Sequence, residues 1–280
     1  MRTSLVTGAL AIAVAVAGVA VLIVSPWSSS SARDGHGART VVHAAAASPA
    51  PGQVLFRDDF DRADGLVTNE FAYWNPSRAD AVRSPDWELT SGSLFTRAGA
   101  GWTGAPDDVA PNATSSNGND SAVFRLTTTN PGFGNVAVDL DLRLDRFVTT
   151  KRTPAVAWDG VHVFLHYQSE YSLYYASIDR RDGTVAIKKK VPGGPSNDGT
   201  YYQLATGRHA VPLGAWEHVR ATVATGADGS VTIELFGNGT LLARAVDRGT
   251  GGPPITAPGK VGLRGDNADF SFDRFTVTAL

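Results

Sequence analysis

Two histidines sit two residues apart in Gly160–Tyr167, where Val161, Val163, Leu165 and Tyr167 alternate with His162, Phe164 and His166. In an extended strand that spacing puts both imidazoles on one face. Neighbouring segments carry Tyr174 and Tyr175, then Lys188, Lys189 and Lys190, and Arg125 stands in Val123-Phe124-Arg125-Leu126. Imidazole and phenol groups transfer protons, while guanidinium and ammonium groups neutralise a carboxylate or a developing oxyanion. His162, His166, Arg125, Tyr174 and Lys188 are therefore the candidate catalytic set. Other chemistries find less support. Glutamates occur only at 70, 88, 170, 217 and 234, so no strand carries a pair of them for glycoside hydrolysis, although Asp159, Glu170 and Asp179 could converge from separate strands. A Ser-His-Asp triad is open in principle, but no G-x-S-x-G elbow is present, and no phosphate-binding G-x-x-x-x-G-K-[ST] loop either.

Aromatic residues supply a second kind of chemistry. Sugar rings present C–H faces that stack on aromatic rings, while polar side chains take their hydroxyls. Trp102, Trp158, Tyr201 and Tyr202 fall near expected loops and are the candidate substrate-binding residues. Trp87 and Trp216 are expected to pack in the core. Segments 99–120 and 192–200 read as long loops.

These groups need a scaffold, and the chain offers β-strands. In Asn135–Leu144, Val136, Val138, Leu140, Leu142 and Leu144 oppose Asp139, Asp141 and Arg143; Val231, Ile233 and Leu235 oppose Thr232 and Glu234. Further strands are expected at 54–60, 93–97, 121–128, 172–178, 184–190, 217–225, 240–246, 259–264 and 269–279. Turns at Asp182-Gly183, Asp228-Gly229 and Asn238-Gly239 separate some of them. No convincing helical period follows residue 52. A dozen antiparallel strands without a repeat predict an all-β, two-sheet sandwich or jelly roll spanning 53–280.

The rest of the chain is organised differently. Leu5–Val24 carries no charge and follows Arg2, so residues 1–25 read as a signal or membrane-anchor helix, its length fitting an anchor better than a cleaved h-region. Residues 26–52 are rich in Ser, Ala, Gly and Pro and read as a linker. The domain is expected outside the cytoplasm, tethered to the membrane if the helix is retained and secreted if it is cleaved. Of 280 residues, 25 are Lys or Arg and 27 Asp or Glu, for a net charge of −2, so nucleic acid is not an expected partner. The absence of Cys excludes disulfides, thiolate metal sites and a Cys nucleophile.

Several runs carry a family resemblance. Leu213-Gly214-Ala215-Trp216-Glu217-His218-Val219 precedes Asp228-Gly229-Ser230-Val231-Thr232-Ile233-Glu234-Leu235-Phe236 and Asn238-Gly239. The chain closes on Pro258-Gly259-Lys260-Val261-Gly262-Leu263-Arg264 and Phe272-Asp273-Arg274-Phe275-Thr276-Val277, and opens on Leu55-Phe56-Arg57-Asp58-Asp59-Phe60-Asp61. Together these resemble the concanavalin A-like lectin/glucanase and laminin G-like jelly rolls over about 70 residues at the two ends of the domain. The resemblance implies first and last strands that pair, and a structural Ca²⁺ held by Asp59 and Asp273. Polysaccharide lyases of this fold use Arg, His, Tyr and Lys together, yet their R-x-E-L, Q-I-H and Y-F-K-A-G motifs are not intact here, nor is the E-x-D-x-x-E strand of the laminarinase type. The expected function is a lectin-like, carbohydrate-binding domain acting on cell-surface or environmental polysaccharide. The alternatives are a polysaccharide lyase or glycoside hydrolase on the same fold, and a non-catalytic adhesion domain.

Overall fold

A computed structural model describes residues 49–104, 123–149, 153–196 and 198–280. The expected N-terminal helix and most of the linker lie outside the described residues, as does most of the 99–120 loop. No helix among the described residues is long and apolar enough to cross a membrane. The strands are β1 (Val54–Asp58), β2 (Gly65–Asn69), β3 (Trp87–Ser91), β4 (Ser93–Arg97), β5 (Ala100–Trp102), β6 (Val123–Thr128), β7 (Val136–Phe147) and β8 (Gly160–Ser169). There follow β9 (Ser172–Ile178), β10 (Thr184–Pro192), β11 (Gly199–Arg208), β12 (Glu217–Thr225), β13 (Val231–Gly237), β14 (Thr240–Asp247), β15 (Lys260–Asp266) and β16 (Ala268–Ala279). Among the described residues one single-turn helix, α1 (Phe71–Trp74), interrupts them.

Two antiparallel sheets form. The nine-stranded sheet runs β14-β13-β12-β7-β16-β5-β4-β2, with β1 paired to β16; the seven-stranded sheet runs β11-β10-β9-β8-β15-β6-β3. Every strand expected from alternation is present, with ends shifted by a few residues. Unanticipated are β2, β3, β5 and most of β11, which are short or lack clean alternation. The expected pairing of first and last strands is present, with Asp58 opposite Phe275 and Val54 opposite Thr278.

Alternation decides which side chains meet between the sheets. Val136, Val138, Leu140, Leu142 and Leu144 of β7 are fully buried, as are Val161, Val163 and Leu165 of β8 and Val231, Ile233 and Leu235 of β13. Burying each such side chain contributes roughly 1.5–3 kcal/mol before the entropy of ordering is counted. An aromatic cluster of Phe56, Phe60, Trp87, Phe272 and Phe275 ties the first and last strands of the domain into this core. Trp87 is buried as expected, and its Nε1 donates to Asp58 Oδ2 at 2.8 Å. Trp216 departs from expectation: it is exposed, with the Arg143 guanidinium 4.8 Å from its ring centroid. The β13–β14 hairpin shows why its turn reads Asn-Gly. Asn238 and Gly239 have φ of 49° and 79°, which Asn tolerates and Gly adopts freely.

Candidate ligand-binding cleft

The residues facing away from the core on the seven-stranded sheet form rows across it. Arg125 of β6 stands opposite Arg264 of β15, Arg264 opposite His162 of β8, and His162 opposite Ser177 of β9. One pleat along, Phe164 of β8 faces Tyr175 of β9, and Tyr175 faces Lys188 of β10. Apart from Arg125, these two rows floor a cleft of about 300 Å³. Trp158 and Tyr201 also line it, together with Arg180 and Asp266. Trp158 is 54% exposed. A smaller adjoining depression shares Phe164, Tyr201 and Arg264 and adds Arg125, Glu170 and Lys190.

Polar groups of the cleft are bound into a chain. Arg264 Nε donates to both Asp266 oxygens at 2.9 and 3.0 Å. His162 Nε2 lies 3.1 Å from Asp266 Oδ2, and its Nδ1 lies 2.8 Å from Ser177 Oγ. Burial opposes ionisation of Asp266, but the Arg264 charge and the His162 hydrogen bond outweigh it and hold the carboxyl well below the usual carboxylate range. Burial lowers the His162 pKa in spite of Asp266, so the ring is neutral at pH 7. An ionised carboxylate only accepts, which assigns the proton to Nε2 and leaves Nδ1 to accept from Ser177. Burial also raises the Tyr175 phenol, which stays a donor.

The cations are not equally committed. Arg180 is paired with Asp182, and Arg125 with Glu170 at 2.5 Å. Lys188 makes no salt bridge with any described residue. Its Nζ lies 5.9 Å from the Tyr175 ring centroid and 6.0 Å from that of Tyr201. Burial, with Arg180 nearby, lowers its pKa. Burial and the charge of Arg264 push Lys190 down to about 8; its ammonium donates to the Glu170 carbonyl at 2.8 Å.

The structure thus gathers His162, Lys188, Trp158 and Tyr201 in one cleft and puts Arg125 beside it. It separates the others. The expectation that His162 and His166 share a face is corrected: the register of β8 slips after Leu165, and His166 takes a positive φ of 45°. His166 is buried, with Nδ1 2.7 Å from the Ile255 carbonyl and Nε2 3.0 Å from that of Gly134. Tyr174 alternates with Tyr175 and faces the core, where its hydroxyl donates to Asp247 Oδ2 at 2.5 Å and accepts from the Ile255 amide at 2.9 Å. Tyr202 alternates with Tyr201 and lies against the backbone of Gly251, where a Cβ would fall 2.3 Å from its ring. Trp102 lies on the nine-stranded sheet. Its Nε1 donates to Asp269 at 2.9 Å and the Arg97 guanidinium sits 3.7 Å from its ring centroid. At the chain ends, Arg57 Nε reaches both Asp59 oxygens, at 2.8 and 2.7 Å. Burial, then the charges of Asp59, Asp61 and Asp58, raises the Asp273 carboxyl. As arranged, Asp59 meets a guanidinium, and the pair does not fit a Ca²⁺ ion without displacing it.

Arg264, Asp266, Arg180 and Ser177 were not singled out in the sequence. A signal existed for two of them: Val261 and Leu263 alternate with Gly262, Arg264 and Asp266, which puts the charged pair on the outer face.

No family model matches the chain, and no curated protein matches its sequence. Solved structures do match its fold. A protein of unknown function with a galectin-like fold from Bacillus subtilis superposes with a TM-score of 0.50 at 11% identity, covering 82% of this chain and 97% of that one. The chain has a concanavalin A-like jelly-roll fold. Other matches to this jelly roll include the Bacillus licheniformis β-glucanase (TM-score 0.45, 9% identity, 82% of this chain and 99% of that one). A legume lectin-like domain from Entamoeba histolytica gives a TM-score of 0.41 at 9% identity, with 70% and 90% covered. Identity this low speaks to fold alone.

Proposed function

We propose that the protein is an extracytoplasmic carbohydrate-binding domain whose cleft takes an acidic polysaccharide. The observation that carries this reading is Lys188: a cation with no carboxylate partner among the described residues, on the floor of an aromatic-lined cleft in a chain of net charge −2. Trp158 and Tyr201 offer ring faces for sugar C–H groups, and Lys188 offers charge to a uronate or sulfate. Arg264 is held in a fixed orientation by Asp266, as a recognition group should be. Its place outside the cytoplasm rests on the uncharged run 5–24 after Arg2.

Binding is favoured over turnover by the state of His162. Both ring nitrogens are engaged, so neither is free to take a proton from a substrate in the cleft. A second reading, an enzyme, draws on the Asp266–His162–Ser177 chain, which has the order of a nucleophile relay. Ser177 is fully buried, however, and offers no surface for attack.

The test is a panel of neutral and acidic polysaccharides against the full chain, reading binding and new reducing or unsaturated ends together. Binding restricted to acidic polymers, weakened about tenfold or more in Lys188→Gln and without new ends, supports the proposal. Released ends that vanish in His162→Ala would replace it with the enzyme, and silence towards every glycan would favour an adhesion domain.

A further inference from the structure

We propose that Asp179, His209 and Glu217 bind one divalent transition-metal ion of the zinc type, at one end of the sandwich and apart from the cleft floor. Asp179 directly follows β9, His209 directly follows β11, and Glu217 opens β12. The first two strands belong to the seven-stranded sheet and the third to the nine-stranded sheet, so the ion would pin the two layers together. One ligand atom from each residue lies within 4.8 Å of the other two. His209 Nε2 is 2.9 Å from Glu217 Oε2 and 3.6 Å from Asp179 Oδ1. Nitrogen and oxygen ligands about 2.0–2.1 Å from a tetrahedral ion stand roughly 3.3 Å apart, so small side-chain shifts suffice.

The independent observation is what these carboxylates lack. Asp179 is 1% exposed, and neither of its oxygens has a hydrogen-bond partner among the described residues; Glu217 is 2% exposed, and its Oε1 has none there either. Three buried carboxylate oxygens without a donor are a large desolvation cost. A proton shared between the carboxyls supplies one donor and leaves other oxygens bare. A divalent cation neutralises both carboxylates at once, and a water in its open position can donate further. Donor chemistry then selects the ion. One imidazole with two carboxylates suits Zn²⁺ and its neighbours, whereas Ca²⁺ takes six to eight oxygens.

The experiment uses the untagged full chain, stripped with a chelator and dialysed. It is titrated with ZnCl₂ by calorimetry, with CoCl₂ by visible absorption, and with CaCl₂ as a control. The expected result is one Zn²⁺ per chain, a rise in melting temperature, and an intense tetrahedral cobalt band. Asp179→Asn and His209→Gln, each confirmed folded by circular dichroism, should weaken Zn²⁺ binding about a hundredfold or more. No Zn²⁺ heat and no melting shift in the wild type would overturn the proposal in favour of a shared proton. Binding that survives in both variants but disappears in Asp273→Asn would also overturn it, by moving the ion to the chain ends. Because glycan binding is read separately, this site can fail while the cleft reading stands, and the reverse.

Discussion

Two clusters of buried charge stand at different ends of β9 and β10, and they are finished in different ways. Around Lys189, everything has a partner. Its ammonium lies 2.8 Å from Asp247 Oδ2 and donates to the carbonyls of Thr250, Gly252 and Pro253 at 3.0, 2.7 and 2.8 Å. Asp247 also accepts from the Tyr174 hydroxyl and, through Oδ1, from the amides of Gly249 and Thr250 at 2.9 Å. Burial works against the Asp247 charge, yet these donors hold its pKa below the ordinary carboxylate value. Around Asp179 the balance is reversed. Burial raises both Asp179 and Glu217, and His209 is the only described basic side chain with a nitrogen within 4 Å of their oxygens. A buried network closed by its own chain holds structure, here the 247–255 segment against β10. One left open by its own chain is where a foreign group belongs.

Breaking the closed network should have the largest effect. Lys189→Met leaves Asp247 charged and buried and three carbonyls without their donor, at a cost of about 3–5 kcal/mol. Chemical denaturation should show a large fall in midpoint, and a loss under 1 kcal/mol would mean that the network is not closed as described. Tyr174→Phe removes the donor to Asp247 and the acceptor for the Ile255 amide, and should cost about 1–3 kcal/mol by the same measurement. Asp179→Asn in metal-free protein should cost less than Tyr174→Phe, because burial and the neighbouring Glu217 already work against the native carboxylate and no described donor lies at hydrogen-bond distance from its oxygens. If Asp179→Asn proves the more damaging of the two, the contrast between the clusters collapses.

The cleft sharpens the contrast in a third place, since Lys188 is also an unfinished charge. Lys188→Gln should weaken an acidic polysaccharide by about tenfold to a hundredfold and leave the melting temperature almost unchanged. Trp158→Ala, which removes an exposed ring, should cost roughly tenfold, about 1.4 kcal/mol, in the same titration. A fall in melting temperature for either would make them structural residues rather than binding ones.

What the sequence disclosed follows from what is local. Alternation in β7, β8 and β13 is a property of adjacent residues, and the core strands were legible from it. So was the outward pair of His162 and Phe164. The fate of His166 was not, because a single residue with positive φ reverses the alternation on which the expectation rested. The Lys188-Lys189-Lys190 run shows the same limit. Alternation sends Lys189 inward, but its partner is Asp247, distant in sequence, and nothing local announces that pairing. The Asp179, His209 and Glu217 group is likewise assembled from three strand ends. Trp216 is exposed because it precedes β12 rather than lying within it.

Lys190 is an intermediate case and yields the smallest prediction. It is 1% exposed, and the Glu170 carbonyl is its one hydrogen-bond acceptor among the described residues; Arg264 and Arg125 repel its charge. Burial, chiefly, brings its pKa from the ordinary 10.5 down to about 8 in the folded protein. Below pH 8 both folded and unfolded chains carry the proton, and folding bears the full cost of burying it. Between about 8 and 10.5 the folded chain has released the proton while the unfolded chain still holds it. Stability contributed by this residue therefore rises with pH across that window. Its charge is lost from the depression beside the cleft at the same time, so an acidic polysaccharide should bind more weakly at pH 9 than at pH 7. Melting curves and glycan titrations at those two pH values, run on wild type and on Lys190→Met, isolate the effect from other titrating groups. A pH response identical in the two proteins would show that Lys190 is as fully compensated as Lys189, and that the open side of the comparison is confined to Asp179 and Lys188.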